Sequence, residues 1–162
     1  MGMMLIVGGL LFLLFLVFAG YLVSSAAIAR VLKLFGYGRP VLGWVPFVRH
    51  HALGTVCTQE SGSLPCVAGT FALPNALLQW GWAAVMAAYL IPSMGYVLGL
   101  GLSVLYFGTV YRFIYGRLFG ENSAAPAVVS SVLRILFYIR VLACAREGKG
   151  PCSQPGDIYP GQ

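Results

Sequence analysis

Acidic side chains are scarce in this sequence: four carboxylates stand against ten lysines and arginines in 162 residues. Glu60, Glu121, Glu147 and Asp157 all lie outside the long apolar runs. Glycoside hydrolysis needs two carboxyl groups at one site, and neither a Gly-x-Ser-x-Gly turn nor a His-Glu-x-x-His helix offers another hydrolytic centre. Gly36-Tyr37-Gly38 is followed by Arg39-Pro40, which breaks a dinucleotide fingerprint. The sequence reads as non-enzymatic, with no cofactor. Charge is also scarce overall, at 9%, against about 25% in ordinary soluble domains. The net charge of +6 comes from basic residues that flank or interrupt apolar runs rather than forming a stripe, so no nucleic-acid partner is expected. No charge precedes Arg30. The opening run thus lacks the basic start of a secretory signal, and it outlasts the roughly 7–15 apolar residues such signals carry. Ile6 stands where a myristoylation signal has Ser or Thr. A retained membrane helix without a lipid anchor is expected.

What the chain has in abundance is apolar surface, 59% hydrophobic residues with a mean hydropathy of +0.86. The expectation is an all-α integral membrane protein with three or four transmembrane helices. Their spans, read from the apolar runs, are about 3–35, 73–91, 94–119 and 124–145. The length suits a single transmembrane helical domain over 1–146. The segment 147–162, rich in Gly and Pro and without an apolar period, reads as a flexible tail.

Each later segment carries its own signals. Pro74 and Asn75 open the second helix, consistent with the tolerance for proline in a first turn. Pro92, Ser93 and Gly95 make so short a connection that the second and third helices must be antiparallel. Gly95, Gly99, Gly101 and Gly108 present small residues for close helix packing in lipid, within the chain or against a partner. Tyr111, Arg112 and Arg117 read as an aromatic belt with basic interface anchors. In the last segment Ser130, Arg134 and Tyr138 are spaced i, i+4, i+8 and share one face of a continuous helix. A central arginine costs about 2.5–3.5 kcal/mol on insertion scales unless it faces protein or water. This helix therefore either spans with that face turned inward, as a pore or polar face, or lies in the interface with its arginines snorkelling.

The block Gly36 to Gly54 interrupts the apolar sequence with Arg39, Trp44, Phe47, Arg49, His50 and His51. Pro40 and Pro46 preclude one continuous helix, and the aromatic and basic residues suit an interfacial or re-entrant loop at lipid headgroup depth. His50 and His51, being adjacent, point about 100° apart on a helix, and Cys57-x8-Cys66 is wider than the roughly two to four residues between cysteines of zinc sites. No metal is expected. The positive-inside bias puts Arg30, Lys33, Arg39 and Arg49 in the cytoplasm. The Cys57–Cys66 loop then faces a reducing compartment, where free thiols are expected.

The stretch Tyr21 to Thr55 resembles a family of uncharacterised small multi-pass bacterial membrane proteins, whose first helix ends in a basic turn followed by a Gly…Pro…Trp-x-Pro loop and a helical bundle. Gly36, Pro40, Trp44, Pro46 and Gly54 carry the likeness. The chain departs from the pattern at Arg49-His50-His51, where an asparagine follows the Trp-x-Pro element, and at the Cys57–Cys66 loop. The resemblance implies a multi-pass fold in the bacterial cytoplasmic membrane with a cytoplasmic first loop. It carries no activity across. Together these readings point to an accessory or interaction subunit whose partners are the bilayer and other membrane subunits or itself. A small homo-oligomeric channel or transporter lined by Ser103, Thr109, Ser130 and Arg134 is the alternative.

Overall fold

With no charge before Arg30, nothing in the opening residues stops a helix. In the computed structural model, which describes residues 2–69, 71–120 and 124–146, α1 runs unbroken over Gly2–Leu34. It ends where Gly36 takes a left-handed φ of 68°. The Gly36 N–H donates to the Lys33 carbonyl at 3.1 Å and the Tyr37 N–H to the Leu32 carbonyl at 2.8 Å. These two bonds are a Schellman closure, which satisfies carbonyls that a helix end otherwise leaves unpaired. Only the second half of α1 is packed. No residue from Met3 to Val23 is buried, while Ala27, Ile28, Val31 and Leu32 are covered almost completely.

Pro40 opens a 3₁₀ turn, Pro40–Trp44, and a second reversal at Phe47, with φ 65°, starts α2, Val48–Glu60. The Pro/Trp block read as a loop is therefore half helical. Glycines make this possible by removing bulk. A Cβ on Gly43 would stand 2.5 Å from the Ala29 backbone nitrogen, and one on Gly54 only 2.0 Å from the Leu78 carbonyl oxygen. The turn presses onto α1, and α2 presses onto the next helix.

A two-stranded antiparallel hairpin follows, an addition to the all-helical expectation. β1 (Ser63–Pro65) pairs with β2 (Ala72–Pro74) in the register Leu64 to Leu73. Those central leucines both face the core, and the prolines at the strand ends donate no ladder bonds, which keeps the hairpin short. α3 (Asn75–Tyr89) and α4 (Gly95–Phe119) then form the expected antiparallel pair.

The continuous helix expected over 124–145 is two helices, α5 (Ala124–Val132) and α6 (Arg134–Arg146), bent by 118° at Leu133. Neither proline nor glycine marks the break. Its cause is tertiary: α5 packs on α4 while α6 crosses to α1, and one straight rod cannot do both. The Ser131 hydroxyl bonds back to the Val128 carbonyl at 2.7 Å, a local contact that favours bending.

Among the described residues α1 and α4 are long and apolar enough to cross a membrane, and the α5–α6 pair makes a third candidate if the bent unit counts as one span. α3, at 15 residues, extends only about 22 Å at 1.5 Å per residue, short of the roughly 30 Å bilayer core. The tail 147–162 lies outside the described residues.

Candidate functional site

Polar groups inside this bundle concentrate where α1, α2, α4 and α6 meet. The reversal at Phe47 aims the first turn of α2 inward, so Arg49 and His50, about 100° apart on the helix, enter two different sides of the core. Arg49 reaches α1, donating to the Ser24 hydroxyl at 2.9 Å and the Ser25 hydroxyl at 3.2 Å, with its guanidinium 5.2 Å from the Tyr21 ring. The Tyr21 hydroxyl in turn donates to the Trp44 carbonyl. Helix α1 is thereby tied to both the 3₁₀ turn and α2.

His50 faces the other way, edge-on to Phe107 at 5.5 Å and 6.5 Å from Trp82. Beyond Phe107 stands Arg134, at the break between α5 and α6. Its guanidinium lies 4.3 Å from the Phe107 ring and donates to the Ser103 hydroxyl at 3.1 Å. Phe107 thus contacts both groups, as a π-face for the cation and in an edge contact with the imidazole. Burial first, then the charges of Arg49 and Arg134, push the His50 pKa from 6.5 down to about 3. The imidazole is neutral near pH 7 and too weak a base for proton transfer there. Its Nδ1, the Nε of Arg49, the Nε of Arg112 and the indole N–H of Trp82 are buried without hydrogen-bond partners. No cluster of three or more metal-ligating side chains occurs among the described residues. The junction can hold positive charge and fix helix positions, and its described residues present no nucleophile–base pair.

The residues singled out from sequence divide sharply. Trp44, Phe47 and Arg39 are exposed. His51 is half-buried, its Nδ1 3.2 Å from the Gln79 carbonyl oxygen and its ring 5.0 Å from that of Trp80. Tyr111 and Arg117, read as interface anchors, are inside the bundle: Tyr111 stacks on Phe137 at 3.9 Å, and Arg117 lies 5.9 Å from the Phe113 ring. Arg112 is half-buried. Sequence spacing misread these residues because the second half of α4 is enclosed on nearly all sides, chiefly by α3 and α5 and by Phe137 of α6, so it has almost no lipid-facing stripe.

Ser130, Arg134 and Tyr138 do not share one helix face, because the bend at Leu133 separates the first from the other two. The Ser130 hydroxyl pairs with the Tyr115 hydroxyl at 2.7 Å. Thr109 accepts the Val67 N–H at 3.0 Å and donates to the Leu105 carbonyl at 2.7 Å. The four side chains suggested as a pore lining are all turned into their own protomer. Of the packing glycines, Gly95 and Gly99 admit α3, with Cβ positions 2.7 Å from the Ala88 carbonyl oxygen and the Tyr89 ring, and Gly108 sits 3.2 Å from Val67. Gly101 faces open space.

The Ser24–Ser25 receptor for Arg49 and the Ser103–Phe107 receptor for Arg134 went unnoticed in the sequence. One signal was available for the first: apart from Tyr21, Ser24 and Ser25 are the polar side chains in α1 before Arg30. Cys57, Cys66 and Cys144 are buried, and none of them is in a disulfide among the described residues. No family model, curated protein or solved structure matches this chain.

Proposed function

We propose that this chain is a non-catalytic integral membrane protein serving as an accessory or interaction subunit of a larger assembly in a bacterial cytoplasmic membrane. The observation that carries this reading is the uncovered first part of α1. From Met3 to Val23 its own bundle buries no residue, and Met3, Met4 and Leu5 are each more than three-quarters exposed. Twenty-one helical residues extend about 31 Å, which matches the roughly 30 Å hydrocarbon core. Lipid or the helices of other subunits must cover that surface, and Gly8, Gly9 and Gly20, each open for at least 4 Å around a would-be Cβ, suit close helix approach.

Orientation follows from the cations that remain at the surface. Arg49 and Arg117 point into the bundle, whereas Arg30, Lys33 and Arg39 around the end of α1, and Arg140 of α6, are exposed at the surface. On the positive-inside rule the cluster at the end of α1 supports a cytoplasmic first loop, as the likeness around Gly36 to Gly54 also implies. A pore is the weaker reading because Ser103, Thr109, Ser130 and Arg134 bond within the protomer.

Purification of the whole chain from native membranes in mild detergent, followed by mass measurement of the intact complex, tests the assignment. Other membrane proteins at fixed stoichiometry, lost when Gly8, Gly9 and Gly20 become leucine, support a subunit. A monomer or pure homo-oligomer overturns it.

A further inference from the structure

An open groove of about 930 Å³ runs between the second half of α1, the Pro40–Trp44 turn and α6. Its walls are aliphatic, chiefly Ala26 and Ala29 of α1, Val41 of the turn, and Ile139 and Leu142 of α6. At its edge stand Arg30 and Lys33, three residues apart and so on one side of the helix. No carboxylate lines it among the described residues.

We propose that this groove seats an anionic phospholipid, an acyl chain lying along the aliphatic walls and the phosphate at Lys33 and Arg30. The alanines supply room where a larger residue would close the space, and the volume falls within the roughly 300–1,000 Å³ of small-molecule sites. The charge pattern selects the occupant. An apolar helix from a partner would leave Lys33 facing nothing of opposite sign, and a free phosphate would leave the aliphatic length uncovered. The depth agrees. Arg30 and Lys33 lie seven and ten residues beyond Val23, about 10 and 15 Å along the axis, so with residues 3–23 in hydrocarbon their long side chains snorkel back to the headgroup layer. Trp44, 43% exposed in the groove wall, is the side chain most at home at that level.

The test uses the full-length protein in mild detergent, exposed to equal amounts of phosphatidylglycerol and phosphatidylcholine with identical acyl chains. Bound lipids are counted by native mass spectrometry. The expected result is a preference of about ten-fold for phosphatidylglycerol, in line with one or two basic contacts. Lys33→Gln should remove most of that preference, and Ala143→Trp, at another lining position, should reduce retention of both lipids. Both variants are checked for unchanged elution and helix content. If Ala143→Trp fails to fold, Lys33→Gln, at an exposed position, decides alone. Equal retention of the two lipids by the wild type, an unchanged preference in Lys33→Gln, or complete displacement by inorganic phosphate would overturn the proposal.

Discussion

Replacing Gly54 by alanine adds one methyl group at the crossing of α2 and α3, and the structure says where it must go. The new Cβ would stand 2.0 Å from the Leu78 carbonyl oxygen and 2.8 Å from the carbonyl carbon. A carbon–oxygen contact relaxes near 3.3 Å, so the two backbones must separate by about 1.3 Å. No rotamer can absorb this, because the obstacle is main chain. A radial gap of that order forfeits at least a quarter to a half of each dispersion contact along the crossing. The cost is expected at the upper part of the roughly 1–3 kcal/mol range for overpacking, which corresponds to a fall of about thirty-fold or more in the ratio of folded to unfolded protein. The matched control is Gly101→Ala, on an exposed stretch of α4 with nothing within 4 Å, where the substitution should be neutral or stabilise by up to about 1 kcal/mol through helix propensity. Reversible denaturation of both variants in mixed micelles, followed by circular dichroism, compares them directly. If Gly54→Ala is as stable as the wild type, α2 does not lie on α3 as described.

Three further outcomes are expected. Because the His50 pKa falls from 6.5 to about 3 on folding, the unfolded chain binds more protons between those values. Its contribution to stability is complete above pH 6.5 and declines as pH falls toward 3, by at most about 1.4 kcal/mol per unit. His50→Phe should abolish that part of the pH dependence, measured as the difference between variant and wild type in thermal midpoint; parallel profiles would refute the burial argument. Arg134→Ala removes the Ser103 hydrogen bond and the contact with Phe107 and should destabilise by about 1–3 kcal/mol. Arg134→Lys should recover only part of this, since an ammonium lacks the planar face that stacks on the ring. In a Cys152→Ser background, Cys57, Cys66 and Cys144 should resist a maleimide until the protein is unfolded, as buried thiols do; rapid labelling of the native protein would contradict their enclosure.

Particular residues show why some features were legible in advance and others were not. The extents of α1 and α4 follow from uninterrupted apolar sequence, and their ends from Gly36 and Gly120, both at φ 68°. These are local properties, set by backbone sterics and side-chain solvation, so the helical class, the two long apolar helices and the antiparallel α3–α4 pair could be read from residue order alone. The 118° bend at Leu133 could not, because it carries no breaker and exists so that α5 and α6 can reach different partners. Nor could the fate of the arginines. A basic residue near the end of an apolar run looks the same in sequence whether it meets phosphate or folds inward, and only the arrangement of helices delivered Ser24 and Ser25 to Arg49, and Ser103 and Phe107 to Arg134. Composition determined that the long helices are apolar enough to cross a membrane; long-range packing decided which of the chain's few charges face outward and which are held inside, since a buried cation is tolerated only where distant parts of the chain bring it hydroxyls and aromatic faces.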